Sequence, residues 1–391
     1  MLIARLRVFT VIRYVLILMV VTCFLLPAIA QEDGWSVDEQ CASRASADNW
    51  SYNGTILATG YGGLHGINAA WETPRVVARI GRYPDGRLSP DNRWYAGLER
   101  QVIYAESFNH LHVIEAIHVY STLDNTIVYS VPWENSWLQM WGYRAMYWLN
   151  NEHILYEYSE DYVHDLDELV MLNPFDNTTS QWNSAIDILD GGSGFQREYI
   201  QFPSPDFTRT VYYHYDTDES RHYHALYDVS SGELLTELQL SNDAVVVWFP
   251  DSSTFVAESS VSNDDTRLAL YDRDGNFMTT LFDLGLFRIR HPQNMSLSPD
   301  SRYLAFKPDY QWERQTLHIV DMESGTVIDT CLIPADSFVW SPNGTQITFL
   351  EPGNGTQNVY IFDLSSWSYR AVGRHIVQTS FWDMVIGWRE N

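Results

Sequence analysis

The sequence predicts an all-β chain folded as a single β-propeller of four-stranded blades, seven by count, with six or eight as alternatives. Three observations carry that reading. First, a turn of Ser-Pro-Asp type followed by an apolar, aromatic strand recurs at Ser89-Pro90-Asp91-Asn92, Ser204-Pro205-Asp206-Phe207, Phe249-Pro250-Asp251-Ser252, Ser298-Pro299-Asp300-Ser301 and Ser341-Pro342-Asn343-Gly344. Proline presets φ at the second turn position, and Asp, Asn and Ser bond their own backbone there. Second, the proline-equivalent positions 52, 90, 150, 205, 250, 299 and 342 are spaced by 38, 60, 55, 45, 49 and 43 residues. That is the length of a four-stranded blade, with loop insertions in two units. Third, residues 384–388 end in Trp388 like the strand before each turn, and Trp50-Ser51-Tyr52-Asn53-Gly54-Thr55 copies Trp340-Ser341-Pro342-Asn343-Gly344-Thr345 with Tyr in place of Pro. The last strand is therefore expected inside the first blade, closing the ring.

Taken in order, residues 1–30 read as a signal peptide. Arg5, Arg7 and Arg13 form a basic region, residues 15–26 are apolar, and Ala28-Ile29-Ala30 matches a small-residue cleavage site. An uncleaved anchor is the rival, since the apolar run is not much shorter than a span. A secreted or periplasmic protein, free of the membrane after cleavage, is expected. Residues 31–48 read as an irregular lead-in and 49–391 as the propeller. Residues 56–59 form a short strand, Gly60-Tyr61-Gly62-Gly63 breaks it, and a second apolar segment covers 75–80. Strands follow at 113–120 and 126–131. Near Trp148 the motif degrades to Leu149-Asn150-Asn151-Glu152, with Asn150 in the proline's place. From Pro205 each turn leads to a strand, a polar loop, a strand ending in Asp (Asp228, Asp272, Asp321, Asp363), a hairpin turn and a last strand. Those aspartates cap turn backbone and are structural by default. Asp272-Arg273-Asp274-Gly275-Asn276 is better explained as such a turn than as a calcium loop, whose downstream Glu is missing.

The formal charge is −26, with Lys307 the only lysine; removing the three leader arginines takes it to −29. So acidic a chain excludes a nucleic-acid partner and favours solubility, cation binding or a basic partner. Cys41 and Cys331 remain after cleavage, and export would allow them to pair. Six N-x-[ST] sequons occur, at Asn49, Asn53, Asn177, Asn294, Asn343 and Asn354; Asn-Gly-Thr in three of them is equally a turn signal.

In a four-stranded blade the turns of the first and last hairpins share one face, and the loops between second and third strands share the other. These middle loops differ in length and gather acids and aromatics, which suit sugar stacking or recognition of cationic groups. The candidate binding residues are Asp161, His164, His214, Asp216, Asp218, His222, Asp264, Asp265, Tyr310 and Trp312. A hairpin turning near Asp218 would set His214 opposite His222, where they could share a cation, although exposed loop imidazoles are the commoner explanation.

The Ser-Pro-Asp turn and the aromatic strand after it resemble the WD-like propeller repeat of the TolB family, which also occurs in the propeller domains of prolyl-oligopeptidase and dipeptidyl-peptidase relatives. The resemblance spans most of residues 49–391 and implies the fold; its shared residues belong to turn and core. No G-x-S-x-G elbow is present, and no catalytic residue is assigned. Two functions follow. The preferred one is a monomeric, non-catalytic binding or scaffold protein that recognises a protein, peptide or glycan through the loop rim and needs no cofactor, a divalent cation being the exception considered. The alternative is an extracytoplasmic metal-assisted lyase or hydrolase with its site in the central funnel; some polyuronide lyases look similar in repeat.

Overall fold

The recurring turns and strands assemble into seven four-stranded antiparallel blades in the computed structural model. It describes residues 37–45, 52–60, 63–68, 75–78, 87–104, 111–124, 126–137, 146–158, 168–181, 201–216, 221–241, 244–262, 265–289, 294–310, 313–314, 316–335, 337–350, 356–377 and 385–390. No α-helix occurs among them, and so none long and apolar enough to cross a membrane. Residues 1–30, expected as a signal peptide, lie outside the described residues.

Blade 1 is ordered Val385–Arg389, Thr55–Gly60, Gly63–Asn68, Arg75–Ala78 from the innermost strand outward. Every other blade runs in chain order. Blade 2 comprises Arg87–Leu88, Trp94–Tyr104, Leu111–Ser121 and Ile127–Trp137. Blade 3 comprises Met146–Trp148, Ile154–Tyr158, Glu168–Asn173 and Thr178–Gln181. Gln201–Pro203, Arg209–Asp216, Arg221–Asp228 and Leu234–Leu238 make blade 4. Val246–Trp248, Thr254–Ser262, Asp265–Asp272 and Phe277–Gly285 make blade 5. In blade 6 the strands are Met295–Leu297, Tyr303–Phe306, His318–Asp321 and Thr326–Asp329. In blade 7 they are Phe338–Trp340, Gln346–Leu350, Thr356–Asp363 and Ser368–Val377.

The repeated turn is built the same way in blades 2, 4, 6 and 7. In blade 6 the Ser298 amide donates to the Tyr303 carbonyl and the Ser301 amide to the Ser298 carbonyl, both at 2.8 Å. The Ser298 hydroxyl donates to Asp300 Oδ1 (2.6 Å) and accepts from the Tyr303 amide (2.9 Å). Blades 2, 4 and 7 repeat the hydroxyl pair through Ser89 and Asp91, Ser204 and Asp206, and Ser341 and Asn343. The residue after the acid turns left-handed: Asn92, Phe207, Ser252 and Ser301 have φ of 57°, 54°, 59° and 61°, where blade 7 has Gly344. Only Gly344 avoids the steric cost of that region. The turns of blades 2, 4, 5 and 6 therefore depend on side-chain caps to hold a left-handed residue that is not glycine.

Between blades the core is apolar. Val211 and Leu226 of blade 4 pack with Trp248, Phe255 and Ala269 of blade 5, while Ile56 and Trp388 of blade 1 pack with Val359 and Ile361 of blade 7. Innermost tryptophans add a polar link. Trp248 Nε1 donates to the Phe202 carbonyl (2.9 Å) and Trp340 Nε1 to the Ser296 carbonyl (3.1 Å), each on the preceding blade. Trp388, 1% exposed, donates instead to the Asn53 carbonyl (2.8 Å) within blade 1, and its strand pairs with Thr55–Gly60 in the order Ile56↔Trp388, Leu57↔Gly387. The ring is closed by its two ends.

Several expectations change. Residues 31–48 are not wholly irregular: Val37–Glu39 pairs in parallel with Thr326–Asp329, and Ser43–Arg44 in parallel with Ser368–Tyr369. The lead-in thus covers the outer edges of blades 6 and 7, satisfying backbone groups that an edge strand leaves unpaired. Sequence hid this because parallel edge pairing demands no apolar alternation. Between the two strands Cys41 is joined to Cys331 by a disulfide, with Cα atoms 4.9 Å apart. Gly60 pairs with Gly63 across the glycine-rich break, and Gly63–Asn68 is a full strand despite its low β propensity. Asn150 takes the role of the acid rather than the proline: its Oδ1 accepts from the Glu152 and His153 amides at 2.8 Å. That turn is one residue shorter, closing from the Leu149 amide to the His153 carbonyl.

Candidate functional site

The two faces of the ring are made differently. On the hairpin face the acids are engaged by their own turns. Asp228 Oδ1 accepts from the Ser230 amide and hydroxyl and the Ser231 amide, and Oδ2 pairs with Arg209. The hydroxyl of Ser230, then the amide of Ser231, hold this carboxyl well below the usual range. Asp321 and Asp363 receive comparable amides. For Asp206 partial burial would raise the pKa, but the Ser204 hydroxyl, the Thr208 amide and hydroxyl and Arg273 outweigh it and bring it to about 2. Arg273, from the outer turn of blade 5, reaches that carboxylate of blade 4 at 2.9 Å. These are the groups of a folding device: each of these carboxylates is engaged by its own turn or by an arginine of a neighbouring strand or turn.

The opposite face varies. Its second and third strands close tightly at Gly60↔Gly63 in blade 1 and Ser262↔Asp265 in blade 5, but at Tyr158↔Glu168 in blade 3. Blade 6 carries a separate two-stranded hairpin, Asp309–Tyr310 with Glu313–Arg314, in the same connection. Blade 2 lengthens three strands to 11 residues each. Because Trp94↔Ser121 fixes its base, the added length, which at about 3.4 Å per residue is substantial, projects from the loop side.

The residues expected at this rim are placed in part. Asp161, His164, Asp218, Asp264 and Trp312 lie outside the described residues. Asp216 pairs with Arg221, Asp265 with Ser262 and Tyr310 with Glu313, so each occupies the last strand pair before its loop, on three successive blades. The histidines are a correction. His214 pairs with Tyr223 and His222 with Tyr215, because the strands meet in a register that ends at Asp216↔Arg221, one step from the one expected. They are not cross-strand partners, and the shared-cation geometry is lost. Among the described residues no group of three His, Cys, Asp or Glu converges as a metal site.

Charged groups that sequence reasoning passed over lie beneath the rim. Glu258, 1% exposed, accepts from the Ser241 hydroxyl (2.8 Å) through Oε1 and from the Ile289 amide (2.7 Å) through Oε2. It thereby holds the connectors on both sides of blade 5, with Arg288 Nε 3.5 Å away. Lys307, at the corresponding place on blade 6, donates to the Ala335 carbonyl at 2.7 Å and so holds the next connector. His318 stacks on Phe306 (5.1 Å), and Nδ1 lies 3.0 Å from the Thr316 carbonyl. Burial pushes this imidazole's pKa down, against the opposing pull of Asp329. One signal was legible: a lone lysine and a lone glutamate, each set in an apolar strand. Chemically these groups fix loop bases; they converge on no reacting centre.

No known protein family and no curated protein matches the chain. Solved structures do. A 6-phosphogluconolactonase-like protein from Bacteroides fragilis superposes with a TM-score of 0.50 at 13% identity, covering 85% of this chain and 97% of that one. TolB from Acinetobacter baumannii gives 0.40 at 11% identity over 73% and 82%, and an oligogalacturonate lyase in complex with manganese gives 0.44 at 14% over 83% and 87%. At such identities the likeness extends to the fold alone: this chain is a seven-bladed β-propeller.

Proposed function

We propose that this is an exported, non-catalytic binding propeller that recognises a protein, peptide or glycan through the face bearing the middle loops. One observation carries the reading: the strand ends and connections on that face differ most from blade to blade, while the other face repeats one hydrogen-bonded serine turn in blades 2, 4, 6 and 7, with its Asp or Asn held by the serine hydroxyl. Rigid strands that present unlike loops are where recognition is built on a repeat scaffold. Glu258 and Lys307 support it by fixing the loop bases from below. The chain's charge of −26 favours a ligand with cationic groups.

Probing peptide and glycan arrays with three proteins tests this: the wild type, a variant with residues 159–167 and 105–110 replaced by Gly-Ser linkers, and an Asp274→Asn hairpin-face variant. Ligands of the wild type should be lost by the loop variant and kept by Asp274→Asn. The reverse pattern would place recognition on the wrong face, and turnover of a captured ligand would replace binding by catalysis.

A further inference from the structure

Where the two ends of the chain meet, hydrogen-bond donors outnumber acceptors. Arg389 stands at the position that Ser89, Ser204, Ser298 and Ser341 hold in other blades, and like them it is buried, at 5% exposed. Its Nη2 donates to Thr55 Oγ1 at 3.1 Å. That oxygen also accepts from Asn68 Nδ2 at 3.1 Å, so both lone pairs are used and the hydroxyl proton points elsewhere. Thr55 is itself fully buried, and its proton meets no acceptor among the described residues. Arg389 Nε and Nη1 are enclosed and equally without partners.

The charge is as exposed energetically as the donors. A guanidinium keeps its proton at any pH a protein survives, so burial cannot be relieved by neutralisation as it can for lysine. Among the described residues the charged group acting on Arg389 is Arg93, of the same sign, in the Ser-Pro-Asp turn of blade 2. The acid of that turn is committed: Asp91 accepts from the Ser89 hydroxyl and the Arg93 amide, with Oδ2 3.8 Å from Arg93 Nε. Blade 2 closes over the place, Asn92 Nδ2 donating to the Trp388 carbonyl at 3.1 Å.

We propose that the seam of blades 1 and 2 is a binding site for one small monovalent anion, chloride being the abundant example, held by Arg389 Nε, Arg389 Nη1 and the Thr55 hydroxyl. A water molecule would satisfy donors but leave the cation uncompensated. Because Arg389 ends the strand that closes the ring, the anion acts as a latch on closure and is independent of what the rim binds.

Thermal unfolding at constant ionic strength, with sodium gluconate replaced stepwise by sodium chloride, reads the effect. The wild type should gain a saturable rise in Tm of roughly 2–4 °C, and Arg389→Met should show none. Equal melting in the two salts, or a chloride response undiminished in Arg389→Met, overturns the proposal. Should Arg389→Met not fold, crystals of the wild type grown in sodium bromide decide it. Anomalous density within hydrogen-bond reach of Nε and Nη1 is expected, and a water or nothing at that place overturns it.

Discussion

At the scale of the residue, the buried serine of the turns in blades 2, 4, 6 and 7 matters more than the exposed residue beside it suggests. Ser298 is fully buried, and its hydroxyl both orients Asp300 and receives the Tyr303 amide. Ser298→Ala leaves that amide enclosed without a partner, so urea unfolding should show a loss of about 1–3 kcal/mol. Replacing an exposed serine such as Ser253 should cost well under that. The depressed carboxylates predict acid behaviour. Asp206 and Asp228 bind protons less tightly folded than unfolded, so their stabilisation is present above the ordinary carboxylate pKa. It is lost as pH falls through about 4 towards about 2. Asp206→Asn should flatten that limb; an unchanged acid profile would contradict the assignment. Tyr52 works at the other end. Burial raises its phenol to about 12 against the opposing charge of Arg370, and its hydroxyl has no hydrogen-bond partner among the described residues. An unfolded tyrosine ionises near 10, so its ionisation changes nothing below pH 10 and lowers stability between about 10 and 12. Tyr52→Phe, which also removes the unpaired hydroxyl, should be at least as stable as the wild type at pH 8, and its advantage should grow at pH 11.

At the scale of the element, closure of blade 1 and cover of blades 6 and 7 are separate devices. The closing strand buries Trp388 among Ile56, Ile361 and Val359, and deleting residues 382–391 removes the innermost strand of a blade. A ring so opened should lose its single cooperative transition, and an unchanged melting curve would refute the closure. Trp388→Ala, milder, should cost about 3–5 kcal/mol. The lead-in strands pair through their backbones, and the Cys41–Cys331 bond, spanning 290 residues, holds them. Cys41→Ser with Cys331→Ser should lower stability by about 2–4 kcal/mol and open residues 37–45 to proteolysis. Two titratable thiols in the unreduced, denatured wild type would show that no such bond forms.

At the scale of the whole molecule, net charge and face asymmetry combine. A chain of −26 attracts cationic ligands from a distance, but only those that dock on the loop face should be sensitive to its acids. An arginine-rich peptide should bind less tightly as salt rises past 0.1 M, where the screening length falls to about 10 Å. Changing Asp216, Asp218, Asp264 and Asp265 to Asn should weaken it further, measured by calorimetry at fixed salt. Affinity indifferent to those four while sensitive to Asp274→Asn would shift recognition to the hairpin face.

What the sequence determined by itself is local and periodic. Ser-Pro-Asp turns, aspartate caps and strand spacing act within five or six residues, so their recurrence disclosed seven blades and the sharing of blade 1 by the two termini. Turn chemistry is written in adjacent residues. Tertiary structure alone decided the rest, where the interacting groups are far apart in the chain. Residues 37–44 became strands because two blade edges happened to lie beside them, and Cys41 met Cys331 for the same reason. His214 and His222 parted by a single step of register, which a loop's composition does not specify. Glu258, Lys307 and Arg389 read as ordinary charges in a strand until folding surrounded them; the first two found partners on neighbouring connectors, and Arg389 was left with donors to spare. Burial depends on which strands arrive on either side, and no short stretch of sequence encodes that.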